Sequence, residues 1–553
     1  MLGSLRFIGR FILMEKRYLI PGVALTGAIS AFTWLGPKII ADLIDRGLVP
    51  GNQRIVLQGV VFLAFSEVAR LMSVFLSQVV YSMLGQNVIE RVRGRMITQI
   101  FGLPVRFFDE NTSGSMMTRV VYDVNSLTDF FQSGFVSILG NAATVSAIFF
   151  GLFMLNIRLG VVLLAAFIPI AVACVFFSRQ LRKGYEVTRN ELSNLNSMLA
   201  DFLFGMKTIR SLGVSFAKHR ELNAQIRKYA EGQMGMVRIF ALFQPTLSLG
   251  IGVLTLLLIG QGIPQIHDEG LKIGEWVAAL NYVVLLQQPL TEISDRWNFF
   301  LAGVTSIERI RTVFSESQEK KGGLFPEPFQ KLEFHDVSFQ YRADQPALSN
   351  VDLVFRRGDW VGIYGPSGSG KSTLLQMIYG FYPPARGRIL WNGRDLGHLD
   401  LGQFRKSFGV VEQFPFLFGG TVRENITLFG EHECDLEGLR NVFRCYPLIE
   451  SILKNPDLPV RQRGANLSMG QKQMIAFLRA WMARPEIWIL DEATAFFDHD
   501  AQTEVFRALN ELRKNGITVI QVAHRPEALG AMNRLIWIQK GRLEDRSPTP
   551  DLK

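Results

Sequence analysis

The sequence predicts a membrane all-α domain of six spanning helices followed by a smaller α/β domain. Three observations carry this reading. The 553 residues are 48% hydrophobic, with mean hydropathy +0.18, yet 20% charged. That is too apolar for a wholly soluble enzyme and too polar for a chain lying entirely in lipid. The apolar residues gather into six stretches before residue 293, whereas the later half alternates short strand-like and helix-like runs. A glycine-rich loop sits in that later half, between a strand pattern and a helix pattern.

A helix needs about 20 mostly apolar residues to cross the hydrocarbon core. The candidate spans are 18–40, 55–84, 130–155, 159–177, 239–260 and 273–292. Only Asn156, Ile157 and Arg158 separate the third from the fourth, which predicts a tight hairpin. Basic residues set the orientation. The segment 178–238 carries Arg179, Arg182, Lys183, Arg189, Lys207, Arg210 and further cations, whereas 261–272 has Lys272 against Asp268 and Glu269. The former is therefore expected in the cytoplasm, with both chain ends beside it and the protein in the cell (inner) membrane. The net charge of +10 is read as this loop bias, not as nucleic-acid binding. The segments 85–129 and 178–238 keep a helical recurrence of apolar residues, so spans two to five are expected to extend beyond the membrane as helices.

The first residues, with Arg6, Arg10, Lys16 and Arg17 opposed to apolar positions, read as an amphipathic helix on the membrane face. An extension of the first span is the alternative. No cleavable signal is evident. Cys174, Cys434 and Cys445 form no metal-spaced cluster and are expected as free thiols. Glu67 and Arg70 fall inside the second span. They are expected to pair on one helix face or to contact a substrate.

Composition changes after Phe314. SESQEKKGGLFPEP is polar and carries Gly and Pro, so 1–314 is assigned to the membrane domain, 315–330 to a linker and 331–553 to the α/β domain. The runs KLEFHDVSFQY, VDLVF, DWVGIYG and GRILWN are expected strands.

The motif GPSGSGKST, Gly365 to Thr373, follows one of these strands and opens a helix. That is the context a phosphate-binding loop requires. Gly365, Gly368 and Gly370 let the backbone wrap phosphates, with Ser367 and Thr373 beside them, and Lys371 meets their charge. The Ser372 hydroxyl suits a magnesium ion. In IWILDEAT, four apolar residues lead to Asp491, placed for a metal, and Glu492, placed to polarise water.

Between these lies LSMGQ, Leu467 to Gln471. Here the chain resembles the ATP-binding-cassette family, whose signature is Leu-Ser-Gly-Gly-Gln. The resemblance spans essentially the whole chain. It implies that Ser468, Gly470 and Gln471 meet the nucleotide held by a second subunit. It also implies that Tyr341 stacks on adenine, that Gln413 touches the metal and faces the membrane domain, that Asp498 is the D-loop aspartate, and that His524 is the switch histidine. RFFDENTSGSMMTRVVYDVNSL, GMKTIRSLG and SIERI look like the corresponding stretches of exporters with six helices per subunit. Coupling helices are then expected near 107–115 and 201–211. ATP and Mg²⁺ are the implied cofactors, with Ser372, Gln413 and Asp491 around the ion. The implied partners are a second half-transporter subunit, membrane lipid and a small-molecule substrate, with no nucleic acid.

Two departures stand out. Met469 replaces the first signature glycine, and the D-loop reads AFFD where Ser-Ala-Leu-Asp is usual. An intact Glu492 beside an altered signature resembles one half of a heterodimeric exporter; a homodimer that tolerates LSMGQ is the alternative. The expected cargo is drug- or lipid-like, because no peptidase domain precedes the first span. Peptide, siderophore or metal-chelate transport and a regulatory ATP-using protein remain the rival readings.

Overall fold

The computed structural model describes residues 2–268, 271–319, 322–342, 345–430, 437–439, 447–493, 496–497, 499–523 and 532–546. The chain divides into two compact units, Met1–Leu103 with Asn111–Ser317, and Pro104–Glu110 with Gln318–Lys553.

The first unit is helical. Helix α1 (Leu2–Met14) is separate from α2 (Lys16–Leu43) and buries Ile8, Phe11 and Ile12. At the junction, buried Glu15 pairs with Arg91 at 2.6 Å. Helix α3 (Gln53–Phe101) has 49 residues. At 1.5 Å per residue it is about 74 Å long, far more than the hydrocarbon core requires. Asn52 caps its start by accepting from the Ile55 N–H. After α4 (Val105–Glu110), which belongs to the second unit, come α5 (Ser113–Met117), α6 (Val124–Asp129) and α7 (Val136–Leu155), joined by π-helical turns Thr118–Asp123 and Phe130–Phe135. Helix α8 (Ile157–Phe204), the short α9 (Met206–Ser211) and α10 (Ser215–Asp268) complete the long helical arms. The expected helical continuations are therefore present. The hairpin between α7 and α8 is tighter than expected: only Asn156 lies outside helix, and its side chain caps α8 through the Leu159 N–H.

Among the described residues, five helices are long and apolar enough to cross a membrane. The sixth expected span, 273–292, is divided between α11 (Ile273–Leu285) and α12 (Gln287–Ser315) at Leu286. Pro289 explains the division. It has no N–H for the carbonyl of Leu285, and its ring crowds that oxygen.

The second unit is α/β. The expected strand runs all correspond to strands, β1 (Lys331–Arg342), β2 (Gln345–Arg356), β3 (Trp360–Tyr364) and β4 (Arg386–Trp391), with Asp359, Gly365 and Asn392 of the expected runs falling outside them. β2, β1, β4 and β5 (Arg394–Asp395) form an antiparallel sheet. A six-stranded sheet runs in the order β12-β11-β3-β10-β9-β6, from β6 (Phe408–Val411), β9 (Ile487–Asp491), β10 (Thr518–Val522), β11 (Arg534–Gln539) and β12 (Arg542–Arg546). Two short strands, β7 (Gly420–Thr421) and β8 (Pro459–Val460), pair separately. Strands β3, β10, β9 and β6 are mutually parallel and nearly all buried, which is why they read as unbroken apolar runs. Val522 lies opposite both Ile363 and Asp491. This register brings the loop after β3 and the carboxylates at the end of β9 to the same carboxyl end of the parallel strands, where α/β sheets bind ligands.

Candidate functional site

The glycine-rich loop links β3 to helix α13 (Lys371–Ile378). Gly365, Gly368 and Gly370 have φ of +156°, +75° and +113°, a region that penalises any side chain. At Gly365 a Cβ would also lie 2.1 Å from the Ile538 carbonyl oxygen. Lys371 is buried, and its ammonium donates to the carbonyls of Gly365 and Pro366 at 2.8 and 2.9 Å. Burial lowers its pKa, while Glu492 and Asp491 oppose that shift. The loop thus wraps round a cation at a helix N-terminus, an arrangement that favours anions. Ser367 and Ser372 are exposed, and Thr373 is buried.

Asp491 ends β9, and Glu492 follows it with φ +48°, in the left-handed region. The Gln413 side-chain amide donates to Glu492 Oε2 at 2.8 Å. Gln413 is held in turn, since the buried Gln473 amide donates to its carbonyl oxygen at 3.1 Å. Sequence reasoning passed over Gln473. Its signal was a polar residue at a core-facing position of a helix whose neighbours Met474 and Ile475 are fully buried.

Tyr341 is 46% exposed, and its hydroxyl donates to Gln376 Oε1 at 3.1 Å and lies 3.4 Å from Thr373 Oγ1. An accessible aromatic ring therefore stands beside the phosphate loop. Tyr382 packs edge-on against it, with ring centroids 5.4 Å apart, and donates its hydroxyl to Asp109 of α4 at 2.5 Å. Burial raises the Tyr382 pKa, and its bond to Asp109 raises it further. This contact, unforeseen in the sequence, ties one of the expected coupling stretches to the ring cluster of Tyr382 and Tyr341. The other expected stretch contains α9, whose neighbours Phe204 and Leu203 are exposed.

The signature opens the helix Met469–Met482, labelled α17 after α14 (Leu401–Arg405), α15 (Val422–Ile426) and α16 (Pro447–Lys454). Ser468 is its N-cap and forms a capping box with Gln471 at 3.2 and 2.9 Å. Ser468 is exposed, and Met469 and Gly470 are half-buried. Among the described residues, no hydrogen bond joins this signature to the phosphate loop of the same chain. Asp498 and His524 lie outside the described residues.

The donors available to a divalent cation are the Ser372 hydroxyl, the Asp491 carboxylate and the Gln413 carbonyl. Oxygen ligands of this kind suit Mg²⁺, which also retains water and takes phosphate oxygens. Among the described residues no group of three His, Cys, Asp or Glu could hold a metal.

Comparison with known proteins agrees with this geometry. A family model described as ABC transporter matches residues 348–495, and one described as ABC transporter transmembrane region matches 20–290. The Bacillus subtilis (strain 168) protein named "Uncharacterized ABC transporter ATP-binding protein YknV" is 29% identical over 83% of this chain and 77% of its own. An "ATP-dependent lipid A-core flippase" of Yersinia pestis bv. Antiqua is 25% identical over 93% of this chain and 89% of its own. A solved structure titled "Structure of a bacterial Atm1-family ABC exporter with ATP bound" shares the fold. Its TM-score is 0.80 at 21% identity, over 96% of this chain and 95% of that one.

Proposed function

The chain belongs to the ABC transporter family, and on that premise we propose that it exports a drug- or lipid-like amphipathic molecule. It is a multi-pass membrane protein and an ATPase whose hydrolysis is coupled to transport. One observation carries the residue assignments: Asp491 and Glu492 lie at the same carboxyl end of the strands as the Lys371 loop, and Gln413 reaches Glu492.

In this reading Gly365, Gly368 and Gly370 aim backbone N–H groups at the phosphates of ATP, and Lys371 neutralises their β- and γ-oxygens. Ser372, Gln413 and Asp491 hold Mg²⁺, which screens the phosphate charge when bound. Glu492 orients the attacking water, and Tyr341 stacks on adenine. Ser468, Gly470 and Gln471 serve the nucleotide of a second subunit, with Asp498 and His524 completing the interface. The exposure of Ser468 at its helix N-cap supports that role. The partner is a second half-transporter chain, and the altered Met469 favours a different chain over an identical one.

The reading is tested by reconstituting the purified transporter, with its partner subunit, in proteoliposomes. ATP should drive movement of a fluorescent amphiphile, and Glu492→Gln should stop it. ATP turnover that moves no amphiphile would instead support a regulatory role.

A further inference from the structure

The six expected spans contain few ionisable side chains of formal charge: Lys38, Glu67, Arg70, Glu275 and Glu292. Charge in a membrane-spanning segment is costly and persists where it is compensated or used. Four of the five are accounted for. Arg70 pairs with Glu67 at 2.9 Å, one helical turn away. Glu275 sits in the first turn of α11 and accepts from the Lys272 N–H. Lys38 is exposed and its ammonium lies 5.1 Å from the Trp34 ring centre.

Glu292 is different. It is half-buried, and both its oxygens accept from neutral amides. Asn141 Nδ2 of α7 donates to Oε2 at 3.1 Å, and Gln288 Nε2, one turn earlier on α12, donates to Oε1 at 2.9 Å. Among the described residues Glu292 makes no ion pair. Two donated hydrogen bonds orient the carboxylate but bring no counter-charge. Counted from Ile273 at 1.5 Å per residue, Glu292 lies about 28 Å along the helical path. Asn141 lies about 21 Å from the Leu155 end of α7 on the same count. Both are therefore in the part of the span from which the chain runs on to the cassette. The Gln288 side is open: Gln288 is exposed, as are Leu285 and Phe299 at helical spacing along the same stretch. An anionic point thus sits beside accessible apolar side chains.

We infer that Glu292, oriented by Asn141 and Gln288, is the recognition carboxylate for an amphipathic organic cation. The positive head would supply the missing counter-charge at Oε1, and the apolar body would lie along Leu285 and Phe299. This inference rests on the export reading above and specifies the charge of its cargo.

The test uses the full-chain transporter, assembled with its partner, in lipid nanodiscs. The probes are two fluorescent alkyl compounds of equal shape, one ending in trimethylammonium and the other in its neutral tert-butyl isostere. The wild type should bind the cation about tenfold more tightly than the isostere, the scale of one partly solvated charge contact. Glu292→Gln should erase that preference while still binding the isostere, and Glu292→Asp should keep most of it. Gln288→Lys, at an exposed position, should also erase it by placing an internal ammonium one turn from the carboxylate. No preference in the wild type, or full preference in Glu292→Gln or Gln288→Lys, would overturn the assignment. The two readings can fail separately. Charge-selective binding with no ATP-driven movement in proteoliposomes would sink export and leave the site standing. ATP-driven movement that ignores probe charge would do the reverse.

Discussion

Glu492→Gln separates the chemical role of this carboxylate from its structural one. The side chain keeps its shape, and its amide oxygen can still accept from Gln413 Nε2, which lies 2.8 Å from Glu492 Oε2. The backbone at φ +48° is no more strained for Gln than for Glu, so the cassette should fold as before. What disappears is a negative charge and a proton acceptor. A positioned general base contributes about 10²–10⁴ in rate, or roughly 2.7–5.4 kcal/mol of barrier. The charge also helps keep Lys371 protonated against its burial, so the substitution pushes that pKa further down. ATP affinity should nevertheless change by less than about threefold, because the loss falls mainly on the transition state. The assay is steady-state ATP turnover by the assembled transporter, with nucleotide affinity measured separately on the same sample. Turnover within a few-fold of wild type would refute the assignment. A parallel collapse of affinity would show that Glu492 shapes the site and does not serve its chemistry.

Three further outcomes are expected. Tyr341→Ala should raise the KM for ATP with little change in kcat at saturation, since base–aromatic stacking is worth about 1–3 kcal/mol and forms already in the ground state; Tyr341→Trp should be tolerated, and a kcat effect alone would remove Tyr341 from the adenine platform. Gly365→Ala should abolish nucleotide binding and lower cassette stability by about 1–3 kcal/mol, because a Cβ there meets Ile538 O at 2.1 Å; thermal unfolding and a nucleotide-binding assay report both. Met469→Gly, in a transporter paired with a different chain, should speed only the ATP site that this signature completes, whereas in a homodimer it should change both; stable, symmetric and fully active dimers of this chain alone would exclude the heterodimer.

Local chemistry was legible in the sequence. The phosphate loop could be read because the glycine positions answer to positive φ, and all three of those singled out adopt it. The long arms were legible because apolar recurrence continues past the lipid-length runs, as from Leu192 to Leu212. The split at Leu286 escaped a hydropathy reading, although Pro289 three residues later carried the cause. Contacts made at long range were not legible. Tyr382 and Asp109 are 273 residues apart, and nothing local marks either as the other's partner. Gln473 was hidden because a helix-facing pattern shows that a polar residue is buried but not what it bonds. The π-helical turns at Thr118–Asp123 and Phe130–Phe135 have no composition that sets them apart from their α-helical neighbours.

The site's two key charges share a feature that bears on how nucleotide engages it. Lys371 satisfies its ammonium with the loop's own carbonyls, and Glu492 satisfies one oxygen with the Gln413 amide. Neither charge is left unbonded, as burial demands. In the proposed reading, phosphate binding would be an exchange in which Lys371 gives up neutral carbonyl acceptors for charged oxygens, which are stronger partners. On the role proposed for it, Glu492 would likewise share or release its bond to Gln413 to meet a water. Because Gln413 is fixed through its backbone carbonyl to Gln473 of α17, movement of its side chain is felt beside the helix that carries the signature. The Tyr382–Asp109 bond does the same on the adenine side, where it reaches α4. The two ends of a bound nucleotide would therefore press on different elements, the adenine on α4 and the γ-phosphate on α17. A nucleotide that stacks on Tyr341 but lacks the γ-phosphate engages only the first, which gives ATP and its hydrolysis product different mechanical consequences from one constellation of side chains.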